Sequence, residues 1–197
     1  MTRGAAGSPA ETLASLASFY EAQSTSVRAN FDRSLPFGEL VVDRWARAGA
    51  LGFGAGASIY DSALVIGSVQ VGERTWIGPQ VVLDGSGGLT IGATCSISAG
   101  VQIYSHDSVA WALSGGHAAY VKEPVSIGDH CYIGPMSVIT KGVTIGRHCL
   151  VGANSVVTRS LPDFSIAVGS TARIVGRVIV GEDGAVRLQY DGNGDAT

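Results

Sequence analysis

The sequence has few cysteines, few charges and no long apolar run. Three cysteines among 197 residues cannot all pair within one chain, so a disulfide scaffold is not expected. Charged residues make up 15% of the chain and its 13 basic residues form no run, which argues against nucleic acid as a partner. No apolar segment approaches the roughly 18 residues that a transmembrane helix requires. These absences favour a globular protein without membrane spans.

The composition is nevertheless that of a folded chain. Hydrophobic residues account for 46% of it and the mean hydropathy is +0.28, whereas a disordered chain is rich in charge and poor in hydrophobes. The length suits one ordinary domain. The N-terminal residues MTRGAAGSPAETLASL lack the apolar core of a signal peptide, which predicts a cytoplasmic location. Glycine is the outlier, because 28 residues are about twice the usual share, and this excess indicates many repeated turns.

An aliphatic residue recurs every six positions. The anchors are Ile59, Val65, Val71, Ile77, Leu83, Ile91, Ile97, Ile103, Ile127, Ile133, Ile139, Ile145, Val151 and Val157. Glycine follows the anchor in seven of these hexads, where it is expected to let the backbone turn a corner, and a small or β-branched residue often stands four positions after the anchor. This period predicts a short strand plus a tight turn, with the anchor and the small residue both facing inward. Three hexads close a triangular coil, and stacked coils pair as parallel strands about 4.8 Å apart.

The N-terminal part of the chain lacks this period. Residues 1–9 are expected to form a disordered tail. Leu13, Leu16 and Tyr20 suit a short amphipathic helix, and Glu39–Ala48 is a second helix candidate. Because the end of a solenoid must be covered to stay soluble, both helices are expected to cap the first coil.

The pattern divides the chain into three parts. Residues 1–53 are the tail and helical cap, residues 54–177 are the repeat domain, and residues 178–197 are a C-terminal hairpin or tail whose last seven residues are expected to be loose. The repeat is interrupted by an inserted loop at 107–124, which contains His, Trp and Tyr. Function often concentrates in a loop that leaves an otherwise regular solenoid.

His106 is the leading candidate for chemistry. It follows the anchor Ile103 at a corner of the coil, where the insertion begins. The inward positions are taken by anchors and small residues, so its imidazole is expected to face outward and to be available. The alternative is an ordinary exposed histidine.

Two cations are expected at the same corner as His106. Lys141 and Arg159 are 18 residues apart, which is one complete coil, and they are expected at about 5 Å and 10 Å from His106 along the axis. Such a groove suits an elongated anionic ligand. The alternative is two solvated surface charges.

The other reactive side chains have simpler explanations. Cys95, Cys131 and Cys149 each stand four residues after an anchor, which predicts one buried column of packing residues and no nucleophile. His130 and His148 are one coil apart and face outward. Surface decoration or a subunit contact is favoured over a metal pair, and no metal site is expected.

Three residues near the insertion keep more than one interpretation. Asp84 interrupts the hexad one coil before His106, and it is expected to orient the histidine, to bind a sugar hydroxyl or to form an Asx-type bend. Trp111 is expected to stack on a sugar ring, contact a neighbouring subunit or anchor the loop. His117 is either plain loop or a substrate contact.

The pattern [LIV]-G-x-x-[small]-x resembles the hexapeptide-repeat acyltransferases of the sugar O-acetyltransferase type, which include galactoside, maltose and surface-polysaccharide acetyltransferases. The resemblance covers about Gly54 to Gly176. It implies an all-β fold, a left-handed parallel β-helix, and assembly as a homotrimer. The handedness is implied by the family alone, since the usual crossover rule favours the right hand.

The resemblance also assigns site residues. The segment Ile103–Ser108 matches the place where sugar and antibiotic O-acetyltransferases carry the catalytic histidine, which is His106 here. Acceptor contacts are then expected from Asp84, Tyr104, Asp107 and Trp111. The segments VGANSVVTR and GSTARI resemble the I-G-A-G-S-x-V-T-K and G-N-P-A-K-x-I stretches of the family, which contact acetyl-CoA. The implied cofactor-binding residues are Lys141, Ala153, Thr158, Arg159 and Arg173.

The implied activity is acetyl-CoA-dependent O-acetylation of a sugar hydroxyl in surface-polysaccharide synthesis, by direct transfer with His106 as general base. N-acetylation of an amino sugar on the same fold is an alternative. A γ-class carbonic anhydrase would need two histidines five residues apart, and the positions five after His106 and His117 are Trp111 and Lys122. A non-catalytic solenoid would leave the inserted loop and the column of His106, Lys141 and Arg159 unexplained.

Overall fold

The computed structural model describes residues 8–192, so the expectations for residues 1–7 and 193–197 lie outside the described residues. The chain divides after Asp43 into two units. In the first unit, α1 spans Pro9–Phe31 and α2 spans Phe37–Val41. A capping box starts α1, because Ser8 N donates to Glu11 Oε2 at 2.7 Å and Ser8 Oγ accepts from Glu11 N at 3.3 Å.

The N-terminal helices differ from the predicted ones. The tail was expected to extend to residue 9, but the capping box starts α1 at Pro9, and the helix has 23 residues instead of a short segment. None of its residues is buried, and Leu13 is 69% exposed. The single helix expected over Glu39–Ala48 is wrong, because Val42 has extended backbone angles and separates α2 from α3. The capping role of the first helix stays a prediction.

The second unit begins with α3, Arg44–Ala50, which covers the first coil of the solenoid. Ala48 is buried in the same apolar cluster as the solenoid core. The guanidinium of Arg47 donates hydrogen bonds to the backbone carbonyls of Tyr60 and Ala63, the latter at 2.7 Å. These two hydrogen bonds join α3 to the backbone of the first coil.

The rest of the second unit is a parallel β-solenoid of about six turns. In chain order the strands are β1 (Ser58–Ile59), β2 (Leu64–Val71), β3 (Trp76–Ile77), β4 (Val82–Ile91), β5 (Ser96–Ile97), β6 (Gln102–Tyr104), β7 (His106–Asp107), β8 (Val121–Lys122), β9 (Val125–Ile127), β10 (Tyr132–Ile133), β11 (Val138–Ile139), β12 (Thr144–Ile145), β13 (Leu150–Val151), β14 (Val156–Val157), β15 (Ser165–Val168), β16 (Arg173–Val180) and β17 (Val186–Tyr190). A short helix, α4 (Val109–Leu113), lies between β7 and β8.

The strands form the predicted faces. One face has the order β1-β3-β5-β10-β13-β15, and the longer strands β2 and β4 each contribute to both other faces. Ile133 pairs with Val151, 18 residues later, and also with Ile97, 36 residues earlier, because the inserted loop lies between them. Thirteen of the fourteen anchors are at most 6% exposed, and Val65 is partly buried. The all-β solenoid expected from the hexads is confirmed.

The glycine that follows an anchor serves close packing and not the turn itself. A Cβ atom at Gly72 would lie 2.6 Å from the backbone nitrogen of Ala93, and one at Gly134 would lie 2.5 Å from that of Ala153. Neither glycine has a positive φ. The left-handed conformation falls instead on non-glycine residues two positions later, such as His130 at φ 59°. The expectation that these glycines turn the corner is therefore wrong, since the next coil simply leaves no space for a side chain.

The C-terminal end of the solenoid is closed by a hairpin. Strand β15 pairs in parallel with β13, β16 then pairs antiparallel with β15, and β17 pairs with β16. The hairpin expected from Val178 onward therefore begins earlier, at Arg173. No helix of the described residues is long and apolar enough to cross a membrane.

Candidate active site

His106 lies where the inserted loop leaves the solenoid. Strand β6 ends at Tyr104, and β7 then pairs antiparallel with β8, which brings the loop back. The returning chain is fixed to the departing one by a hydrogen bond of 3.0 Å from Glu123 N to Ser105 O. The insertion therefore leaves and returns at one corner, and the imidazole of His106 is 30% exposed there.

Asp84 holds the imidazole in one orientation. Nδ1 of His106 lies 2.5 Å from Oδ2 of Asp84, whose side chain is fully buried. The same oxygen accepts from Ser105 N at 3.1 Å, and Oδ1 accepts from the backbone nitrogen and the hydroxyl of Ser86 at 3.0 and 2.5 Å. Burial by itself would raise the pKa of Asp84, but the hydrogen bonds from Ser86, His106 and Ser105 outweigh it and lower that pKa.

This arrangement defines the chemistry available at the imidazole. An ionised carboxylate only accepts hydrogen bonds, so Nδ1 of His106 is assigned the proton, and Nε2 carries a lone pair. The ring can then take a proton at Nε2 while Asp84 stabilises the resulting imidazolium. A buried carboxylate on Nδ1 and an open Nε2 are the two requirements of a histidine general base.

A local departure from the hexad builds this pair. Strand β4 continues through the sequence DGSGG, where two glycines permit close backbone contacts. A Cβ atom at Gly87 would lie 2.3 Å from Ser105 O, and one at Gly85 would lie 2.2 Å from Ser68 O. Gly87 N also donates to Ser105 Oγ at 2.7 Å. The interrupted period at Asp84 is the sequence signal for this site, whereas the supporting serines carry none.

The roles expected for Asp84 can now be separated. Its carboxylate orients His106 and, through its bonds to Ser86, forms the Asx-type bend. The assignment of Asp84 as a residue that contacts the acceptor is wrong, because it is fully buried and both oxygens are engaged within the protein.

One aromatic ring of the inserted loop lies near the imidazole, and a second ring packs against the first. The ring centroid of Tyr120 is 6.2 Å from that of His106, and Trp111 contacts Tyr120 edge to face at 5.6 Å. Both aromatic side chains are exposed. Trp111 was predicted and Tyr120 was not. His117 is exposed in the same loop, and the hydroxyl of Tyr104 donates to Gln102 Oε1 at 2.8 Å on the outer surface of β6.

Lys141 lies at the expected corner but is paired with carboxylates. Its Nζ is 3.2 Å from Asp107 Oδ2 and 3.6 Å from Glu123 Oε1. The hydrogen bond to Asp107 raises the pKa of Lys141, and a backbone hydrogen bond from Val109 followed by the contact with Lys141 lowers that of Asp107. Lys141 was predicted to contact the cofactor, and in the structure its ammonium group is paired with two carboxylates of the protein. The carboxylate of Asp107, expected at the acceptor, is likewise engaged.

The other predicted cofactor residues are exposed. Ile139 pairs with both Ile103 and Val157, so the shared face is confirmed and Arg159 follows Lys141 at the same corner of the next coil. Within residues 8–192, Arg159 takes part in no ion pair. The exposed positions are Ala153 in the turn after β13, Thr158 and Arg159 after β14, and Arg173 at the start of β16.

The cysteines form the predicted buried column. Cys131 N donates to Cys95 Sγ at 3.5 Å, and Cys149 N donates to Cys131 Sγ at 3.4 Å. All three thiols are free and buried. Hydrogen bonding with the thiols of Cys149 and Cys95, and then burial, raise the pKa of Cys131. Thiols that are buried in the solenoid interior are packing groups and not nucleophiles.

His130 and His148 form part of an aromatic stack. Their ring centroids are 4.7 Å apart, and His148 stacks on Phe164 at 4.9 Å with an interplanar angle of 4°. Burial, followed by the charges of His130 and Arg147, lowers the pKa of His148. No cluster of three or more potential metal ligands occurs among the described residues.

The repeat and the fold both have known counterparts. Residues 124–159 match the family model described as the hexapeptide repeat of succinyl-transferase. No curated protein sequence matches the chain. A hexapeptide-repeat acetyltransferase of Vibrio cholerae O1 biovar eltor, solved with acetyl coenzyme A, is similar with a TM-score of 0.60 and 28% identity, over 89% of this chain and 93% of that one.

Two further solved structures are similar. A maltose O-acetyltransferase of Clostridium difficile 630 has a TM-score of 0.55 and 26% identity, over 82% of this chain and 87% of its own. The N-acyltransferase AntD of Bacillus cereus, in complex with dTDP and 3-hydroxybutyryl-CoA, has a TM-score of 0.58 and 26% identity, over 64% and 71%.

The solenoid, its hexads and these similarities confirm the resemblance to hexapeptide-repeat acyltransferases that the sequence predicted. The chain is accordingly assigned as an acyltransferase.

Proposed function

We propose that the protein is an acetyl-CoA-dependent O-acetyltransferase that acts on a sugar hydroxyl, with His106 as general base. The observation that carries this proposal is the 2.5 Å contact between His106 Nδ1 and the buried Asp84 carboxylate. It fixes the tautomer and leaves Nε2 as the proton acceptor at an exposed corner. The resemblance to acetyltransferases in both sequence and structure supports the choice of substrates.

The reaction proceeds by direct transfer. Nε2 of His106 accepts the proton of the acceptor hydroxyl as its oxygen attacks the thioester carbonyl carbon. The tetrahedral intermediate collapses, the carbon–sulfur bond breaks, and the departing thiolate takes the proton from Nε2. The products are the acetyl ester and CoA. General-base assistance of this kind contributes about 10²–10⁴-fold to the rate.

The cofactor is proposed to lie along the corner that Arg159 occupies. Arg159 is exposed, follows Lys141 by one coil, and is suited to a phosphate group. Backbone groups at Ala153 and Thr158 are proposed to contact the pantetheine arm, and Arg173 the ribose phosphate. The Vibrio cholerae structure was solved with acetyl coenzyme A.

The acceptor is proposed to be a sugar or a sugar-linked molecule of surface-polysaccharide synthesis, and the reaction to occur in the cytoplasm. Tyr120, near His106, and Trp111, which packs against Tyr120, expose rings that suit a pyranose ring. The similarity to an N-acyltransferase favours an amino sugar as the second candidate. An imidazole base serves either nucleophile, so the acceptor class is decided by assay.

We also propose a homotrimer, on the basis of the family resemblance. Leu64 and Ile66 on β2 expose large apolar side chains, 52% and 41% respectively, which is consistent with a subunit contact on this surface. Light scattering of the purified protein measures its mass directly. A monomer at micromolar concentration would contradict the trimer.

The central experiment measures CoA release from acetyl-CoA over a panel of sugars, amino sugars and nucleotide sugars. Mass spectrometry of the product, with and without mild base, separates esters from amides. We expect turnover with a hydroxyl acceptor and loss of that turnover in His106→Ala. If His106→Ala turns over the same acceptor as fast as the wild type, the general-base role is wrong. An amide product would replace the O-acetyltransferase assignment with the amino-sugar alternative.

A further inference from the structure

Lys141 contacts both ends of the inserted loop. Asp107 stands where the chain departs from the solenoid, and Glu123 stands where it returns. The Nζ atom of Lys141, from the next coil, lies 3.2 Å from one carboxylate and 3.6 Å from the other. Its side chain is 23% exposed, so the contact is partly sheltered from solvent. One cation therefore joins two segments that are 16 residues apart in sequence.

Few other contacts hold the loop in place. The ladder between β7 and β8 contains two residue pairs. Glu123 is also fixed through its backbone, since Glu123 N donates to Ser105 O at 3.0 Å and its carbonyl accepts from Gly142 N at 3.3 Å. Helix α4 has no buried residue. The short stem at the corner is therefore what positions the rest of the loop.

Gly142 gives the Glu123 side chain room to reach Lys141. Gly142 has φ +75°, and a Cβ atom there would lie 2.3 Å from Glu123 Oε2. The residue after Lys141 thus adopts a backbone conformation that favours glycine, and the absence of a side chain leaves space for the carboxylate. The backbone conformation of Gly142 and the ion pairs of Lys141 therefore both favour the contact between Glu123 and Lys141.

We propose that Lys141 is a positioning residue that fastens the two ends of the inserted loop, and not a ligand of the cofactor. By holding Asp107 and Glu123 together it keeps the loop folded with Tyr120 against His106 and Trp111 against Tyr120. The consequence for acceptor binding rests on the proposed function, whereas the consequence for the loop does not.

The charges at this corner distinguish Lys141, which positions the loop, from Arg159, which is proposed to bind the cofactor. Two carboxylates surround one ammonium group, so the cluster carries a net negative charge and disfavours an incoming phosphate. Arg159, one coil further on, is exposed and pairs with no carboxylate among the described residues. The phosphates of the cofactor are therefore expected to meet Arg159 and not Lys141.

The test compares Lys141→Met with Arg159→Met, because both variants remove one cation from the same corner. Amide hydrogen exchange of residues 108–121 reports on the loop, and calorimetry measures the affinity for CoA. In Lys141→Met we expect the exchange of loop amides to rise about three- to tenfold, with CoA affinity within about twofold of the wild type. Arg159→Met is expected to weaken CoA binding and leave loop exchange unchanged.

Further variants test whether charge is what matters. Lys141→Arg is expected to restore wild-type exchange, and Asp107→Asn and Glu123→Gln each to give an intermediate rise, because each removes one of two ion pairs. With an active acceptor, Lys141→Met is expected to raise the KM of the acceptor more than that of acetyl-CoA.

The proposal is overturned if Lys141→Met leaves loop exchange unchanged, or if it weakens CoA binding as much as Arg159→Met does. These readouts require no turnover. A wild-type protein that transfers no acetyl group to any acceptor would therefore refute the proposed function, while loop exchange would still decide the role of Lys141.

Discussion

Nδ1 of His106 and Oδ2 of Asp84 lie 2.5 Å apart although 22 residues separate them in the chain. Strand β4 places Asp84 beside Tyr104, and His106 follows two residues later. The histidine and its carboxylate therefore come from adjacent coils. The inter-coil register sets their relative position, and the pairing of His106 with Lys122 on the returning strand adds to it.

Replacing Asp84 by Asn tests the role of the carboxylate. The amide keeps the shape but removes the charge that stabilises the imidazolium, so we expect kcat to fall about 10²–10⁴-fold. His106→Ala is expected to lower kcat at least as far, and the double variant no further, because the two residues act as a unit. His117→Ala, a histidine exposed in the same loop, serves as the control. Additive losses in the double variant would contradict a coupled pair.

Replacing Ser86 by Ala tests what keeps Asp84 ionised. The variant removes a hydroxyl that lies 2.5 Å from Oδ1, so the pKa of Asp84 is expected to rise. Because the lowered pKa of Asp84 stabilises the fold above the unfolded value near 3.9, this stabilisation is lost as pH falls through the folded value. The acid unfolding midpoint of Ser86→Ala is therefore expected at higher pH than that of the wild type.

The matched control for Ser86→Ala is Ser137→Ala. Ser137 is also buried, and its hydroxyl donates to Gly152 O at 2.9 Å and accepts from Ser155 N at 3.3 Å, so its hydrogen bonds do not involve Asp84. The Ser137→Ala variant is expected to have a lower melting temperature and an unchanged pKa of Asp84 in a carbon-13 titration. An unchanged Asp84 titration in Ser86→Ala would show that the backbone hydrogen bonds alone keep the carboxylate ionised.

The stack of His130, His148 and Phe164 predicts a loss of stability on mild acidification. Burial, His130 and Arg147 lower the pKa of His148, so the folded protein keeps this ring neutral where the unfolded chain protonates it. The stabilisation is complete above the unfolded value of about 6.5 and declines as pH falls from there toward the folded value. His148→Phe, which retains a ring for stacking on Phe164, is expected to flatten the melting temperature between pH 5 and 7. An equally steep profile in that variant would contradict the prediction.

Two glycine substitutions test the packing of the corners. In Gly134→Ala the new methyl group would lie 2.5 Å from the backbone nitrogen of Ala153, so we expect a loss of about 2–4 kcal/mol in the free energy of unfolding. Gly49→Ala, in α3, meets no atom within 4 Å and is expected to be neutral or to stabilise by about 0.5–1 kcal/mol. Chemical denaturation of both variants measures the difference. Equal stabilities would show that the coils can separate to admit a side chain.

The repeat could be predicted from the sequence because an aliphatic residue recurs at the same interior position of every coil. An error in the position of one hexad would shift all the following anchors out of the six-residue period. This regularity predicted the pairing of Ile103 with Ile139 and the corner position of His106. Asp84 could be singled out because it breaks the period where a strand should continue.

The rest of the site depends on contacts between residues that lie outside the six-residue repeat, so the repeat does not predict them. The pairing of Lys141 with Asp107 and Glu123 requires the return path of the loop, and the position of Tyr120 requires the same path. Ser86 and Ser105 act through hydrogen bonds whose geometry no residue pattern encodes. The length of α1 was missed because its capping box begins in a segment that resembles a tail.

The register around the insertion has a consequence for how this chain can vary. Ile103 pairs with Ile139, 36 residues later, and Ile139 pairs with Val157 after 18 more, so the insertion adds one full coil length without rotating any face. Under the proposed function, the loop can therefore vary while the repeat keeps its register. Exchanging residues 109–120, between the two stem strands, is expected to alter the ring beside His106 and to retain the contact between Asp84 and His106 that joins two coils. Acceptor preference is then expected to follow the loop, while the proposed general base stays in place.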